Sequence, residues 1–408
     1  MNGGGIMFST KSKESCNIFN YYLDNLETVT MISNGVFGAI FLLELPDSLN
    51  VTNENKHLFY RKMTPSSEYG DYVKQLVVKY QHVDKLGIGM MRLGGGSLTA
   101  IEEPEFQNEI NIQTDVVLKT MKYLQPLCPS VIYAEIINDD VKKNNLYEKL
   151  IAPAKNLDID VSNFRFYNMG IIVMEMVHNS STLYSYVDDE PNNATLAENV
   201  ARYAVLKLAL DTEYNHGDFH KGNILIQTDS SYFLSSNKGP TPISPMLIDF
   251  GRTSKINPSI MKLIRDSVKN KNYTKALSYL CDAQHSNEYV RDIQYKSYYG
   301  WVCGNYNVNT DEDISNYPTD WTKLSVEINN EIDTLFVERE LALNKNVETM
   351  NQLNSSNPEK YPLIPVSNKL KNKLYSGMIG GKMHNKKRYT RNKRRKNKKR
   401  SVRSRIRY

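Results

Sequence analysis

The stretch from His216 to Gly251 constrains this chain more than any other. It reads His216-Gly217-Asp218-Phe219-His220-Lys221-Gly222-Asn223-Ile224-Leu225-Ile226 and, past an insertion, Met246-Leu247-Ile248-Asp249-Phe250-Gly251. Two apolar runs of strand length each carry a polar group at one end, Asn223 before the first and Asp249 after the second. Asp249-Phe250-Gly251 alone would say little, because Asp-x-Gly marks any turn. The combination says more. Six identities (His216, Asp218, Asn223, Asp249, Phe250, Gly251) at average residue usage give about 10⁻⁸ per starting position. Allowing for every start and a variable gap still leaves chance below about 10⁻³.

A histidine, an aspartate two places on, an asparagine five further and then a strand ending in Asp-Phe-Gly resembles the catalytic core of protein-kinase-like phosphotransferases. The resemblance implies an α+β, bilobal fold. An antiparallel sheet with one regulatory helix would form the N-lobe, and helices would form most of the C-lobe. It also implies ATP and Mg²⁺ as cofactors. Asp218 would orient the attacking hydroxyl and accept its proton, while Asn223 and Asp249 would hold the metal on the phosphates.

Other pieces of that pattern can be sought upstream. Thr195-Leu196-Ala197-Glu198 reads as a capping box, and Leu196, Val200, Tyr203, Leu206 and Leu210 follow on one helical face. That helix delivers the chain to His216. Gly170–Val177 is a buried-strand run, with a helix expected from Leu183. By resemblance it is the hinge strand, with Met174 beside the adenine pocket and the backbone of Glu175, Met176 and Val177 facing the base. Pro104–Gln113 reads as a helix with proline in its first turn. Phe106, Ile110, Gln113 and Val117 share one face, with Glu109 at its edge, and the resemblance makes Glu109 the partner of a phosphate-binding lysine.

Two lysines compete for that role. Leu76-Val77-Val78-Lys79 has the apolar flanks of an inward-facing strand and is preferred. Lys62, in Phe59-Tyr60-Arg61-Lys62-Met63, is the alternative because it lies nearer the glycine loop. Choosing Lys79 implies an insertion over roughly Pro46–Asp71, whose polar residues suit an exposed excursion. The glycine loop is Ser33-Asn34-Gly35-Val36-Phe37-Gly38. Gly35 and Gly38 would let backbone N–H groups approach phosphate, and Ser33 replaces the first glycine of the family pattern. The richer cluster Gly87–Gly96 has Arg92 where a dinucleotide motif needs glycine, and is read as structural.

The pattern departs from ordinary protein kinases at three points. Gly217 stands where regulated kinases carry the arginine that pairs with an activation-loop phosphate. Phe219-His220-Lys221-Gly222 is closer to choline-kinase and aminoglycoside-phosphotransferase relatives. No Ala-Pro-Glu follows Gly251. The acceptor therefore stays open between a protein Ser/Thr hydroxyl, preferred, and a small molecule. A catalytically inactive scaffold is a further alternative.

Composition divides the chain. Residues 382–408 hold 15 Lys or Arg and no acid; the rest carries 36 basic and 45 acidic residues, a net −9. The tail lacks apolar periodicity and should be disordered. Its charge suits nucleic acid, an acidic partner or anionic lipid, or a nuclear address. Gly380-Gly381-Lys382 leading into a Lys/Arg/Asn run resembles tails on giant-DNA-virus proteins, which implies host cytoplasm or nucleus, or packaging in a virion. No run of 18 uncharged apolar residues appears, so no membrane span is expected, and Met1–Gly5 lacks the features of a signal peptide. Cys16, Cys128, Cys281 and Cys303 are widely spaced, which predicts free thiols, a reducing compartment and no zinc site. The expected divisions are a flank at 1–30, an N-lobe and hinge at 31–177, a C-lobe at 178–355, and a linker and tail at 356–408. Amphipathic stretches from Pro258 to about Leu353, notably Leu324–Leu353, suit the helical part.

Overall fold

The computed structural model describes residues 12–35, 38–62, 70–84, 100–120, 126–157, 168–228, 235–236, 239–240, 243–284, 301–302 and 321–356. The fold is mixed α/β, an antiparallel sheet with several helices. The chain opens with α1 (Lys13–Asp24), then β1 (Thr28–Gly35), β2 (Gly38–Glu44), β3 (Gln75–Asp84), β4 (Ile101–Glu102), α2 (Glu103–Thr120) and β5 (Val131–Ile137). Next come α3 (Asp140–Leu146), running into a π-turn at Tyr147–Ile151, then β6 (Asn168–Glu175), β7 (Ser180–Thr182), α4 (Leu183–Asp189) and α5 (Ala194–Thr212). Short strands β8 (Tyr214–Asn215), β9 (Ile224–Gln227), β10 (Ser235–Ser236), β11 (Gly239–Pro240), β12 (Ser244–Leu247) and β13 (Ser254–Lys255) lead to α6 (Pro258–Lys269), α7 (Tyr273–Gln284) and α8 (Trp321–Ser356). Among the described residues no helix is long and apolar enough to cross a membrane.

The main sheet runs β1-β2-β3-β6-β5, antiparallel throughout, with β4 added in parallel on β3. Side chains alternate along a strand, so each strand sorts its residues between two faces. Phe41 and Leu43 on β2 and Leu76, Val78 and Tyr80 on β3 point into one core with Ile18, Phe19 and Tyr22 of α1 and with Leu146, Leu150 and Ile151. Lys79 and Gln81 therefore lie on the opposite face, the face covered by α2. There Phe106 and Ile110 pack on Val83, Ala134 and Ile172.

Among the described residues three helices, α1, α2 and α3, serve the sheet, where the sequence predicted one. α1 lies in the stretch read as a flank: Ser12 caps it by accepting from the Ser15 N–H, and Ile18, Phe19, Tyr22 and Leu23 form its buried stripe. α3 and its π-turn fill the link between β5 and β6.

Around α5 a third and larger core collects residues of α4, α6, α7, α8, β9 and β12. The C-terminal half of α2 (Ile112, Val116, Val117) joins it, so this helix packs both on its face of the sheet and in the core around α5. Thr195 lies inside α5 rather than at its cap; Asn193 holds the cap position without a side-chain hydrogen bond, so the predicted capping box is not formed. At the other end Glu213 stops the helix in a left-handed conformation, φ 62°, its N–H donating to the Ala209 carbonyl.

Cys16 and Cys128 are free thiols, but Cys281, buried on α7, is disulfide-bonded, which corrects the expectation of four free thiols. Cysteine spacing along a chain does not show which thiols folding brings together. The Gly87–Gly96 cluster and the basic tail lie outside the described residues.

Candidate active site

Four local structures bring the predicted residues to one place. β3 presents Lys79 on the α2 face, and α2 presents Glu109 back to it. The Lys79 ammonium donates to Glu109 Oε1 at 2.6 Å and to Asp249 Oδ1 at 3.0 Å. Glu109 is 2% exposed, not the solvent-facing glutamate an amphipathic helix edge commonly carries. Burial works to lower the Lys79 pKa, but the carboxylates of Glu109 and Asp249 outweigh it and hold the ammonium charged well above the ordinary lysine range. Burial raises the Glu109 pKa, with Asp249 adding to the rise and Lys79 opposing it. For Asp249 burial also acts upward, yet Lys79 prevails and the carboxyl is lowered.

Asp249 is placed by the hairpin of β9 and β12. Their register pairs Ile224 with Leu247. Asn223, one residue before β9, and Ile248, one residue after β12, are therefore neighbours, and the Ile248 N–H donates to the Asn223 carbonyl at 3.0 Å. Asp249 itself adopts φ 64°, a left-handed conformation rare for a residue with a side chain. Such local strain collects at sites where the surrounding structure dictates geometry. Phe250, fully buried, anchors the turn; burial of such a ring contributes on the order of 1.5–3 kcal/mol.

The loop from His216 to Asn223 is held by its own side chains. His216 is buried, which lowers its pKa despite the nearby Asp249 and Asp218 carboxylates, so the imidazole is neutral at neutral pH. Its tautomer follows from its partners: Nε2–H donates to the Ile248 carbonyl at 3.0 Å, and Nδ1 accepts from the Asp218 N–H at 3.3 Å. The Thr253 hydroxyl donates to the His216 carbonyl at 2.8 Å. His220 accepts from the Gly222 N–H at 3.1 Å and closes the next turn. Asn223 Nδ2 donates to the Asp218 carbonyl at 2.9 Å, which fixes the orientation of its amide. Lys221 pairs with Glu198 of α5 at 2.6 Å.

Gly217 has a steric cause. Its φ is +78°, and a Cβ there would fall 2.1 Å from the Arg252 carbonyl oxygen. The Arg252 guanidinium in turn lies 3.7 Å from Asp218 Oδ1. The sequence motif did not single out Arg252; it follows Asp249-Phe250-Gly251 directly, and only the fold brings it to Asp218.

Lys62 is placed elsewhere. It is fully buried, and its ammonium donates to the Met176 carbonyl at 3.1 Å. The end of the predicted exposed excursion is thus not exposed: Phe59, Tyr60 and Lys62 are all buried. A long aliphatic stem and a hydrogen-bonded head make that burial tolerable, a property invisible to hydropathy. The segment after β6 has its own commitments. Besides the Met176 carbonyl, the Val177 carbonyl accepts from Ser180 Oγ at 2.7 Å and the Glu175 N–H donates to the Ser130 carbonyl at 3.1 Å. Met174 is part-buried, with Gln113 Nε2 3.3 Å from its sulfur.

The glycine loop is a hairpin in which Gly35 pairs with Gly38; Val36 and Phe37 lie outside the described residues. Gly38 is required sterically, since a Cβ would sit 2.2 Å from the Tyr80 carbonyl oxygen.

Among the described residues no group of three or more His, Cys, Asp or Glu could hold a metal. Glu109 and Asp249 share the one Lys79 ammonium, and Asp218 has the Arg252 guanidinium 3.7 Å away, so three carboxylates face two cations. Asp249 and the Asn223 amide oxygen are hard donors of the kind magnesium takes, and such sites complete their shell with water and substrate phosphates. Two such donors would leave most of a magnesium shell to other ligands. No protein-family model matches the chain, and no curated protein is matched by it.

Proposed function

We propose that this protein is an ATP- and Mg²⁺-dependent phosphotransferase that moves the γ-phosphoryl group to a hydroxyl, with protein serine or threonine as the acceptor. The observation that carries it is the cluster in which Lys79 bridges Glu109 and Asp249 at 2.6 and 3.0 Å. A buried lysine held by a helix carboxylate on one side and by a strand-end carboxylate on the other is what positioning of a triphosphate requires. On this reading the fold is the bilobal, protein-kinase-like one. Apolar clusters on the two faces of the sheet and a separate one around α5, with Met176–Val177 between β6 and β7, support that finer description.

Each residue then has a task. Lys79, held by Glu109, contacts the α- and β-phosphates. Asn223 and Asp249 hold the metal, which when bound would neutralise phosphate charge. Asp218 orients the acceptor hydroxyl and takes its proton as the phosphorus–oxygen bond to the acceptor forms and ADP leaves. Neutral His216 holds the Asp218 backbone and the Ile248 carbonyl without adding charge. Gly35 and Gly38 border the phosphates, and Met174–Val177 borders the adenine.

The loop Gly217-Asp218-Phe219-His220-Lys221-Gly222 favours a second acceptor class. Gly217 leaves no arginine for an activation-loop phosphate, and His220 rather than a lysine stands two places after Asp218. A small-molecule alcohol is the alternative acceptor.

Labelled Mg-ATP tests the reading. Transfer to the protein itself, to a generic protein substrate or to small alcohols such as choline and aminoglycosides is expected, and Asp218→Asn should abolish it. No transfer by the wild type, or equal transfer by the variant, would remove the enzymatic reading. The tail at 382–408 remains the proposed contact for polyanions. Deleting the chain after Gly381 should lower DNA affinity and flatten its salt dependence.

A further inference from the structure

The chain between β2 and β3 does not run loosely over the surface. Residues 59–62 and 70–74 lie antiparallel: Arg61 bridges Tyr72, the Lys62 N–H donates to the Asp71 carbonyl at 2.8 Å, the Gly70 N–H to the Lys62 carbonyl at 3.0 Å, and the Val73 N–H to the Tyr60 carbonyl at 2.9 Å. The base of this hairpin is tied to α1. Tyr22, wholly buried, donates its hydroxyl to the Val73 carbonyl and accepts from the Tyr60 N–H at 3.4 Å, while Phe59 packs edge-on to the rings of Tyr21 and Tyr22. From that base two side chains reach the last residue of β6 and the residue that follows it. Tyr60 Oη donates to the Glu175 carboxylate at 3.0 Å, and the Lys62 ammonium donates to the Met176 carbonyl at 3.1 Å. Lys62 is 0% and Glu175 1% exposed.

Charged groups are rarely taken fully out of water without a structural return. Here they converge on two consecutive residues, Glu175 at the end of β6 and Met176 in the short connector to β7. Successive carbonyls of an extended chain point to alternate sides. Holding the Met176 carbonyl from the hairpin side therefore sets the direction of the Glu175 carbonyl and the Val177 N–H, its neighbours. We propose that this hairpin is a clamp that fixes the hinge segment Glu175–Val177, with Lys62 and Tyr60 as positioning residues for an adenine ring on the opposite edge. The proposal rests on the phosphotransferase reading for its ligand, but not for the ordering of the hinge. A pre-ordered hinge spares the base the entropy of fixing it, so the clamp acts on nucleotide affinity and leaves the transfer step alone.

The experiment compares wild type, Lys62→Met and Tyr60→Phe by hydrogen exchange over residues 174–180 in ligand-free protein, and by titration with adenosine and with Mg-tripolyphosphate. Lys62→Met should exchange at least about 10-fold faster in that segment alone, with a smaller change for Tyr60→Phe. Its adenosine Kd should rise about 10-fold while tripolyphosphate binds as before, and KM for ATP should rise with kcat within about twofold. Wild-type exchange in a folded Lys62→Met, or faster exchange spread over the whole protein, would overturn the clamp. If Lys62→Met does not fold, Tyr60→Phe decides, and unchanged exchange there overturns it. A wild type that binds neither adenosine nor ATP removes the phosphotransferase reading instead, and the exchange rates alone then settle whether the hairpin orders the hinge.

Discussion

Lys79 Nζ lies 2.6 Å from Glu109 Oε1, a contact between β3 and α2 that joins residues 30 apart in sequence and almost wholly out of water. Neither charge would be stable there alone, because an isolated buried ion is costly and its partner offsets that cost only with short, well-directed hydrogen bonds. Asp249, 3.0 Å from the same ammonium, makes the lysine a junction between the sheet and the β9–β12 hairpin. The sheet face carrying Lys79 and the α2 face carrying Glu109 are thus fixed relative to each other by charge as well as by the packing of Phe106 and Ile110.

Lys79→Met tests that junction. Removing the ammonium leaves Glu109 and Asp249 facing each other with their counter-charge gone, and takes away the proposed phosphate contact. Transfer from labelled Mg-ATP should fall by about 10²–10³ in kcat, the usual loss for one directed donor at a reacting phosphate or oxyanion. Lys62→Met should leave kcat within about twofold. If the two variants exchange these outcomes, the phosphate-binding lysine has been misassigned.

Gly217→Ala addresses backbone geometry. The position needs a left-handed φ and has the Arg252 carbonyl where a Cβ would go, 2.1 Å away, so the neighbouring backbone must move. Strain of this kind costs about 1–3 kcal/mol. The variant should show that loss in urea unfolding and reduced transfer, because Asp218 is the next residue. Unchanged stability and rate would mean that the loop adapts freely.

What could be read in advance, and what could not, follows from where the determinants lie. The chemistry of His216–Asn223 and Asp249–Gly251 sits in short contiguous runs, and the β9–β12 register that unites them is implied by two apolar strands of matching length. Lys79 was legible because its neighbours Leu76, Val77 and Val78 are apolar on both strand faces. Lys62 was not. Its flanks mix the aromatic Phe59 and Tyr60 with Arg61, and its ammonium finds the carbonyl of Met176, 114 residues away. α1 has an unbroken stripe at Ser15, Ile18, Phe19, Tyr22 and Leu23, three and four apart, so its helix is legible in the sequence and only its docking on the sheet is not. Thr195-Leu196-Ala197-Glu198 matched a capping box in letters, yet α5 begins at Ala194 because packing of Ala197, Val200 and Ala201 sets its start.

Magnesium dependence bears on Asn223. Its Nδ2 is spent on the Asp218 carbonyl, so the side chain both shapes the loop and presents one oxygen. Asn223→Ala should raise the Mg²⁺ concentration for half-maximal rate at least about 10-fold, with partial rescue at high Mg²⁺. Asn223→Asp, which keeps an oxygen but loses the donor, should be rescued further. Coincident Mg²⁺ curves for wild type and Asn223→Ala would exclude Asn223 as a ligand.

The titration of His216 gives a signed prediction. Burial lowers its pKa in the folded protein, while in the unfolded chain it returns to about 6.5. The unfolded state therefore binds a proton that the folded state refuses, and linkage makes stability fall as pH drops below about 6.5 until the folded pKa is reached. Above that range the contribution is constant. The slope from this one group reaches at most about 1.4 kcal/mol per pH unit. His216→Gln keeps an N–H able to donate to the Ile248 carbonyl but cannot be protonated. Urea midpoints at pH 7.5, 6.5 and 5.5 should therefore converge, with wild type losing more stability than the variant as the pH is lowered. Parallel midpoints would mean that His216 takes up its proton in place. The folded pKa would then equal the unfolded one, and burial of His216 would carry no cost in its protonated form.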